Sequence, residues 1–149
     1  MPGALQIQRQ QEGRGSHGQR ILGRDRLSLC HALHAHTELS GREMTTKERI
    51  RSSLSFHTSA ALADYGSWLS ARFCPEGAEV AAPIAFHADM DALPIDETIE
   101  LPYGSVVPGV AHKCSHDGHT AALAAAARLI EQNAAIERPV CLVFQPAEE

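Results

Sequence analysis

The sequence predicts an α/β fold built on a sheet that is at least partly parallel. Three observations carry this. Residues 83–88 (Pro-Ile-Ala-Phe-His-Ala) and 140–144 (Val-Cys-Leu-Val-Phe) are short apolar runs of strand length. Between them, residues 120–133 are Ala-rich with Leu123, Leu129 and Ile130, a stretch of high helix propensity whose small side chains let it sit close to a sheet. The whole chain then reads helix, helix, strands, helix, strand, the order of a layered α/β domain.

Taken in order, residues 20–35 can be helical, with Leu22, Leu29 and Leu33 loosely on one face. Ser40 with Glu43 three residues later has the form of a capping box. It predicts a surface helix over 42–56 with Met44, Ile50 and Leu54 as its buried stripe. Residues 59–73 alternate and are broken at Gly66, which predicts two short strands or a hairpin. Pro75, Glu76 and Gly77 mark a loop, and the run over 83–88 is expected to be a buried strand. Residues 95–113 hold Pro102, Gly104, Pro108 and Gly109 and are expected to be mostly loop. Pro139 introduces the clearest strand, at 140–144, and no internal repeat is visible.

Composition excludes several classes. The chain has 149 residues, 44% hydrophobic and 21% charged, enough for one domain with a real core. Thirteen Lys and Arg against 18 Asp and Glu give a net charge of −5, which lacks the basic footprint of a nucleic-acid binder. No apolar run approaches the roughly 18 residues of a membrane span. Cys30, Cys74, Cys114 and Cys141 form no CxxC pair, so they read as thiols of a reducing compartment, and the cytoplasm is the expected location. Residues 1–26 lack the apolar core of a secretory signal, and their Gln, Gly and Arg content fits a frayed tail.

Polar residues gather where the strands are expected to end. Asp89 and Asp91 follow one strand, Glu148 and Glu149 another, and Cys114, His116, Asp117 and His119 precede a helix. Ligands of open α/β sheets bind outside the carboxyl ends of strands, so three segments deliver metal-type ligands to one edge. In extended chain Cys114 and His116 point to the same side, and thiolate with imidazole suits zinc or a neighbouring metal. Taken alone, the pair reads first as a structural cysteine beside a surface histidine. Asp117 is as plausible as a helix N-cap, and the Asp89–Asp91 pair as a turn. Two adjacent glutamates after a buried strand could divide labour between ligand and general base, or form a solvated acidic end. His31, His34 and His36 share no clean helical face, and no neighbouring acid completes a site in the sequence, so a structural or surface role is expected.

Together these segments resemble the metal-dependent amidohydrolases that include hippurate hydrolase, N-acyl-amino-acid amidohydrolases and indole-acetyl-amino-acid hydrolases. These share a superfamily with the aminoacylase and carboxypeptidase metallopeptidases. The resemblance lies in residues 34–40 (His-Ala-His-Thr-Glu-Leu-Ser), 88–95 (Ala-Asp-Met-Asp-Ala-Leu-Pro-Ile), 101–103 and 108–110. Most of all it lies in 112–120 (His-Lys-Cys-Ser-His-Asp-Gly-His-Thr) and 144–149 (Phe-Gln-Pro-Ala-Glu-Glu). One such motif is weak; the ordered set, running from about residue 27 to the last, is specific.

The resemblance implies a three-layer, zinc-peptidase-like catalytic domain with a central mixed sheet, of which residues 27–149 are the N-terminal part. The lid or dimerisation domain would be absent. It implies Cys114, His116 and Glu149 as metal ligands, Glu148 as the general base, and Asp91 as the aspartate supporting the site. The cofactor would be two divalent ions (Zn, Mn, Co or Ni), with two further histidine ligands in the missing part. The implied substrate is an N-acyl amino acid, cleaved at its amide bond, with a homodimer admitted for the complete protein. A truncated, non-catalytic metal-binding or interaction fragment is the alternative. Three positions depart from the family pattern. Thr37 replaces a proline and His87 an arginine. Ser115 replaces a glycine, which adds strain if the backbone there needs a positive φ.

Overall fold

The computed structural model describes residues 26–133 and 135–146. Most of the expected tail, including Leu22, lies outside the described residues, as do Glu148 and Glu149.

Residues 26–35 form helix α1, which buries Leu33 and packs Leu29 against the core. Helix α2 spans Met44–His57. It begins two residues later than expected, and Ser40 does not cap it. Glu38 does so from outside: its carboxylate accepts the Thr45 and Thr46 amides at 3.2 and 2.7 Å. A negative group there also suits the positive end of the helix dipole. Ile50 and Leu54 form the expected buried stripe, but Met44 is exposed and Lys47 is buried instead. Lys47 reaches Asp64 at 2.7 Å.

The hairpin expected over 59–73 is β1 (Ala61–Asp64) and β2 (Leu69–Phe73), paired antiparallel. Strand β3 spans Ile84–Asp89, helix α3 His116–Gln132 and strand β4 Val140–Gln145. The sheet order is β1-β2-β4-β3. β4 runs antiparallel to β2 and parallel to β3, so the sheet is mixed, with α3 as the crossover between its parallel strands. The expectation of a buried strand over 83–88 is corrected. β3 lies at the end of this order and leaves Ile84 and Phe86 exposed, while β4, like β2, is paired on both sides and is interior.

One core joins α2, β2, α3 and β4. Ile50 and Leu54 of α2, Leu69 and Ala71 of β2, Ala124 and Ala127 of α3, and Val140, Leu142 and Phe144 of β4 meet around Met90. Full burial of side chains such as Phe144 and Leu142 stabilises the fold by about 1.5–3 kcal/mol each. The alanines of α3 do what their size suggests: α3 packs on β3 and β4 through Ala121, Ala124 and Ala127, all buried. No helix among the described residues is long and apolar enough to cross a membrane.

Candidate functional site

The parallel pair β3 and β4 ends at a common edge. Asp89 is the register partner of Gln145, and the Met90 amide donates to the Gln145 carbonyl at 2.9 Å. The backbone therefore brings the 89–91 segment alongside the chain that leads towards Glu148 and Glu149. Helix α3 starts at this edge. Its Thr120 hydroxyl donates to the Asp89 carbonyl at 2.9 Å.

Two of the residues singled out in the sequence meet there. Asp91 and His116 are both buried. His116 Nδ1 lies 3.0 Å from the Asp91 main-chain oxygen and 3.3 Å from its Oδ1. A proton on Nδ1, donated to the Asp91 main-chain oxygen, makes Nε2 the nitrogen that carries the lone pair. That is the tautomer a metal-bound histidine uses, with its other nitrogen held by a carbonyl or carboxylate.

Cys114 is exposed, two residues before His116. Ser115, between them, has φ 67° and ψ 23°, the left-handed conformation, and its side chain makes no capping bond to α3. Strain at a serine in a glycine-type position is therefore present. Helix α3 begins at His116, four residues before the expected start, because the Ser115 carbonyl accepts the His119 amide at 3.0 Å. Asp117 is not the helix cap.

The donor set fits part of a metal centre. A thiol and an imidazole suit zinc and its neighbours, and the His116 tautomer is the required one. Asp89 adds a buried Oδ1 with no hydrogen-bond partner at the same edge. Among the described residues, no three His, Cys, Asp or Glu side chains form a complete metal-holding group. Glu149, expected as the third ligand, lies outside them.

No acid near the N-terminal histidines in the sequence completes a site, and the fold supplies two. His34 Nδ1 lies 2.8 Å from Asp117 Oδ2, and Nε2 lies 3.0 Å from Glu97 Oε2. Glu97 also accepts from Lys113. Lys113 holds the Glu97 carboxyl at about 2, aided by His34 and opposed by desolvation. His31 stacks on Tyr103, whose ring also meets the edge of His34. Cys30 lies 3.8 Å from Asp117, and burial and that carboxylate push its thiol up. Burial pushes His112 down, and its Nε2 has no hydrogen-bond partner. Thr37 gains from not being proline: it is buried with Oγ1 at 2.8 Å from the Ser105 hydroxyl and 3.2 Å from the Val110 carbonyl. His87 is exposed, with Nδ1 3.8 Å from Asp89 Oδ1.

Residues 85–149 match the model of peptidase family M20/M25/M40. A Bacillus subtilis N-acetylcysteine deacetylase is 40% identical over 125 residues, which cover 83% of this chain and 33% of that protein. A Rhodococcus jostii protein named as glutamate–cysteine ligase 2-3 is 45% identical over 118 residues, 78% of this chain. The match covers only 14% of that protein, so its name carries no argument here. Among solved structures, a dinuclear metal-binding peptidase of the M20 family from Bacillus subtilis superposes with a TM-score of 0.80 at 34% identity. That superposition covers 87% of this chain and 36% of that one. The chain thus spans a third or less of these two curated relatives. The mixed sheet, the ordered motifs at its edge and the match over 85–149 agree: that segment matches peptidase family M20/M25/M40, and the chain is similar to one part of the hydrolases of that family.

Proposed function

We propose that residues 27–149 are the N-terminal part of the catalytic domain of a longer, metal-dependent enzyme that hydrolyses the amide bond of N-acyl amino acids. The observation that carries this reading is the His116–Asp91 pair at the carboxyl edge of β3 and β4, inside the segment that matches the family. The name of the deacetylase relative supports an N-acyl amino acid as substrate. The reading includes a reducing, cytoplasmic setting and a homodimer of the complete enzyme.

Cys114, His116 and Glu149 would hold metal, with Asp91 fixing the His116 ring. Two divalent cations, when bound, polarise the acyl oxygen and lower the pKa of water. Glu148 takes a proton from the attacking water and gives it to the departing nitrogen. Water oxygen bonds to the acyl carbon, the C–N bond breaks, and a carboxylate and a free amino acid result.

The test is hydrolysis of N-acetyl amino acids by the full-length enzyme after zinc, manganese, cobalt or nickel loading. Glu148→Ala is expected to lower kcat by about 10²–10⁴-fold, the range of a lost general base. Cys114→Ala is expected to lower metal content and activity together. Unchanged hydrolysis in both variants would sink the proposal.

A further inference from the structure

We propose that Lys113, Glu97, His34 and Asp117 form a polar bracket that holds the Cys114–Ser115–His116 turn in its ligand-presenting shape, with His34 as the positioning residue at its centre. The inference rests on the reading of Cys114 and His116 as ligands. The two ends of the bracket flank that turn on either side. Lys113, just before Cys114, binds Glu97. Asp117, just after His116, lies 2.8 Å from His34 Nδ1. His34 Nε2, 3.0 Å from Glu97, closes the circuit. Ionised carboxylates only accept, so both contacts made at once need a proton on each ring nitrogen.

The turn needs such a device. Ser115 at φ 67° sits in the left-handed conformation, which L-residues other than glycine adopt only at a cost. Its own side chain gives no capping bond in return. Strained residues persist where their surroundings over-determine them. The bracket anchors the turn to rigid structure: His34 lies in α1, and Asp117 is buried in α3. The end of α1 is itself fixed, because the Ala35 carbonyl accepts the Val106 amide at 2.9 Å. Side-chain exposures of 13% for His34, 8% for Asp117 and 10% for Glu97 limit the access of water to the two His34 contacts.

The experiment uses the full-length enzyme and reads zinc affinity by competition with a chromophoric chelator. A cobalt-substituted sample reports thiolate ligation through its charge-transfer band. His34→Ala is expected to weaken zinc binding about 10-fold, the lower end of the range for lost outer-shell partners. It is also expected to reduce the cobalt–thiolate band. Glu97→Gln, a milder change, is expected to weaken binding in the same direction by a smaller factor. Adding Ser115→Gly to His34→Ala is expected to restore most of the affinity, because glycine takes the left-handed turn unaided. Lys47→Met, which breaks a half-buried ion pair with Asp64 elsewhere, is expected to lower stability and leave zinc affinity unchanged. Unchanged affinity in both His34→Ala and Glu97→Gln, or a His34→Ala loss that Ser115→Gly does not relieve, overturns the bracket. If Cys114→Ser and His116→Ala also leave zinc affinity unchanged, the ligand assignment itself fails, and the bracket with it.

Discussion

His116 Nδ1 reaches two oxygens of one residue, the main-chain carbonyl of Asp91 at 3.0 Å and its carboxylate at 3.3 Å. The carbonyl fixes the tautomer, and the carboxylate adds negative charge beside the ring. Asp91→Asn keeps the first and removes the second. In the full-length enzyme it is expected to weaken zinc binding by about 10–100-fold while far-ultraviolet circular dichroism stays unchanged. Equilibrium dialysis against zinc checks this, and unaltered binding would mean that the main-chain oxygen alone suffices.

Ser115→Gly is expected to stabilise the protein. It removes the left-handed penalty of about 1–2 kcal/mol and adds back a glycine entropy cost of about 0.5–1 kcal/mol. No capping bond is lost. The net gain is about 0–1.5 kcal/mol, centred near 0.75, read as a higher urea midpoint with an unchanged slope. A lower midpoint would show that the serine hydroxyl contributes something the fold does not display.

Acid sensitivity follows from Glu97. Its folded pKa, held at about 2 chiefly by Lys113, lies below the ordinary 4.5. Its stabilising contribution is therefore complete above pH 4.5 and is lost as pH falls towards 2. Glu97→Gln is expected to be less stable than the parent at neutral pH and to show a flatter stability profile across that window. Parallel profiles for the two proteins, from denaturation at successive pH values, would refute the assignment.

The two phenylalanines of the parallel strands are expected to differ sharply. Phe144 on β4 is 0% exposed and Phe86 on β3 is 50% exposed. Phe144→Ala is expected to cost about 3–5 kcal/mol, and Phe86→Ala well under half of that. Chemical denaturation of the two variants decides it.

The local elements were legible because their signals are local. Alternation about Gly66 gave the hairpin, and the Val140 run gave β4. The Cys-Ser-His motif and Asp91 were found by type and spacing, and Ser115 was identified by departure from a glycine pattern. What was missed depends on distance in the chain. The acids that engage His34 come from positions 97 and 117, and no window of sequence contains all three. Glu38 caps α2 from seven and eight residues away, beyond the reach of a capping-box pattern. The apolar run ending in β3 looks buried whether a strand is interior or at the end of the order, since hydropathy does not encode its place in the sheet.

The strand order also sets a schedule for synthesis. β2 and β3 leave the ribosome well before β4, yet β4 pairs the second edge of β2 and the one paired edge of β3. At about 5–20 residues per second, the nascent chain spends seconds with the β1–β2 hairpin formed and β3 without its β4 partner. Two strand edges wait through that interval for the same arriving segment, so premature pairing between chains on one message is the failure this topology invites, most of all at β3, which keeps Ile84 and Phe86 outward.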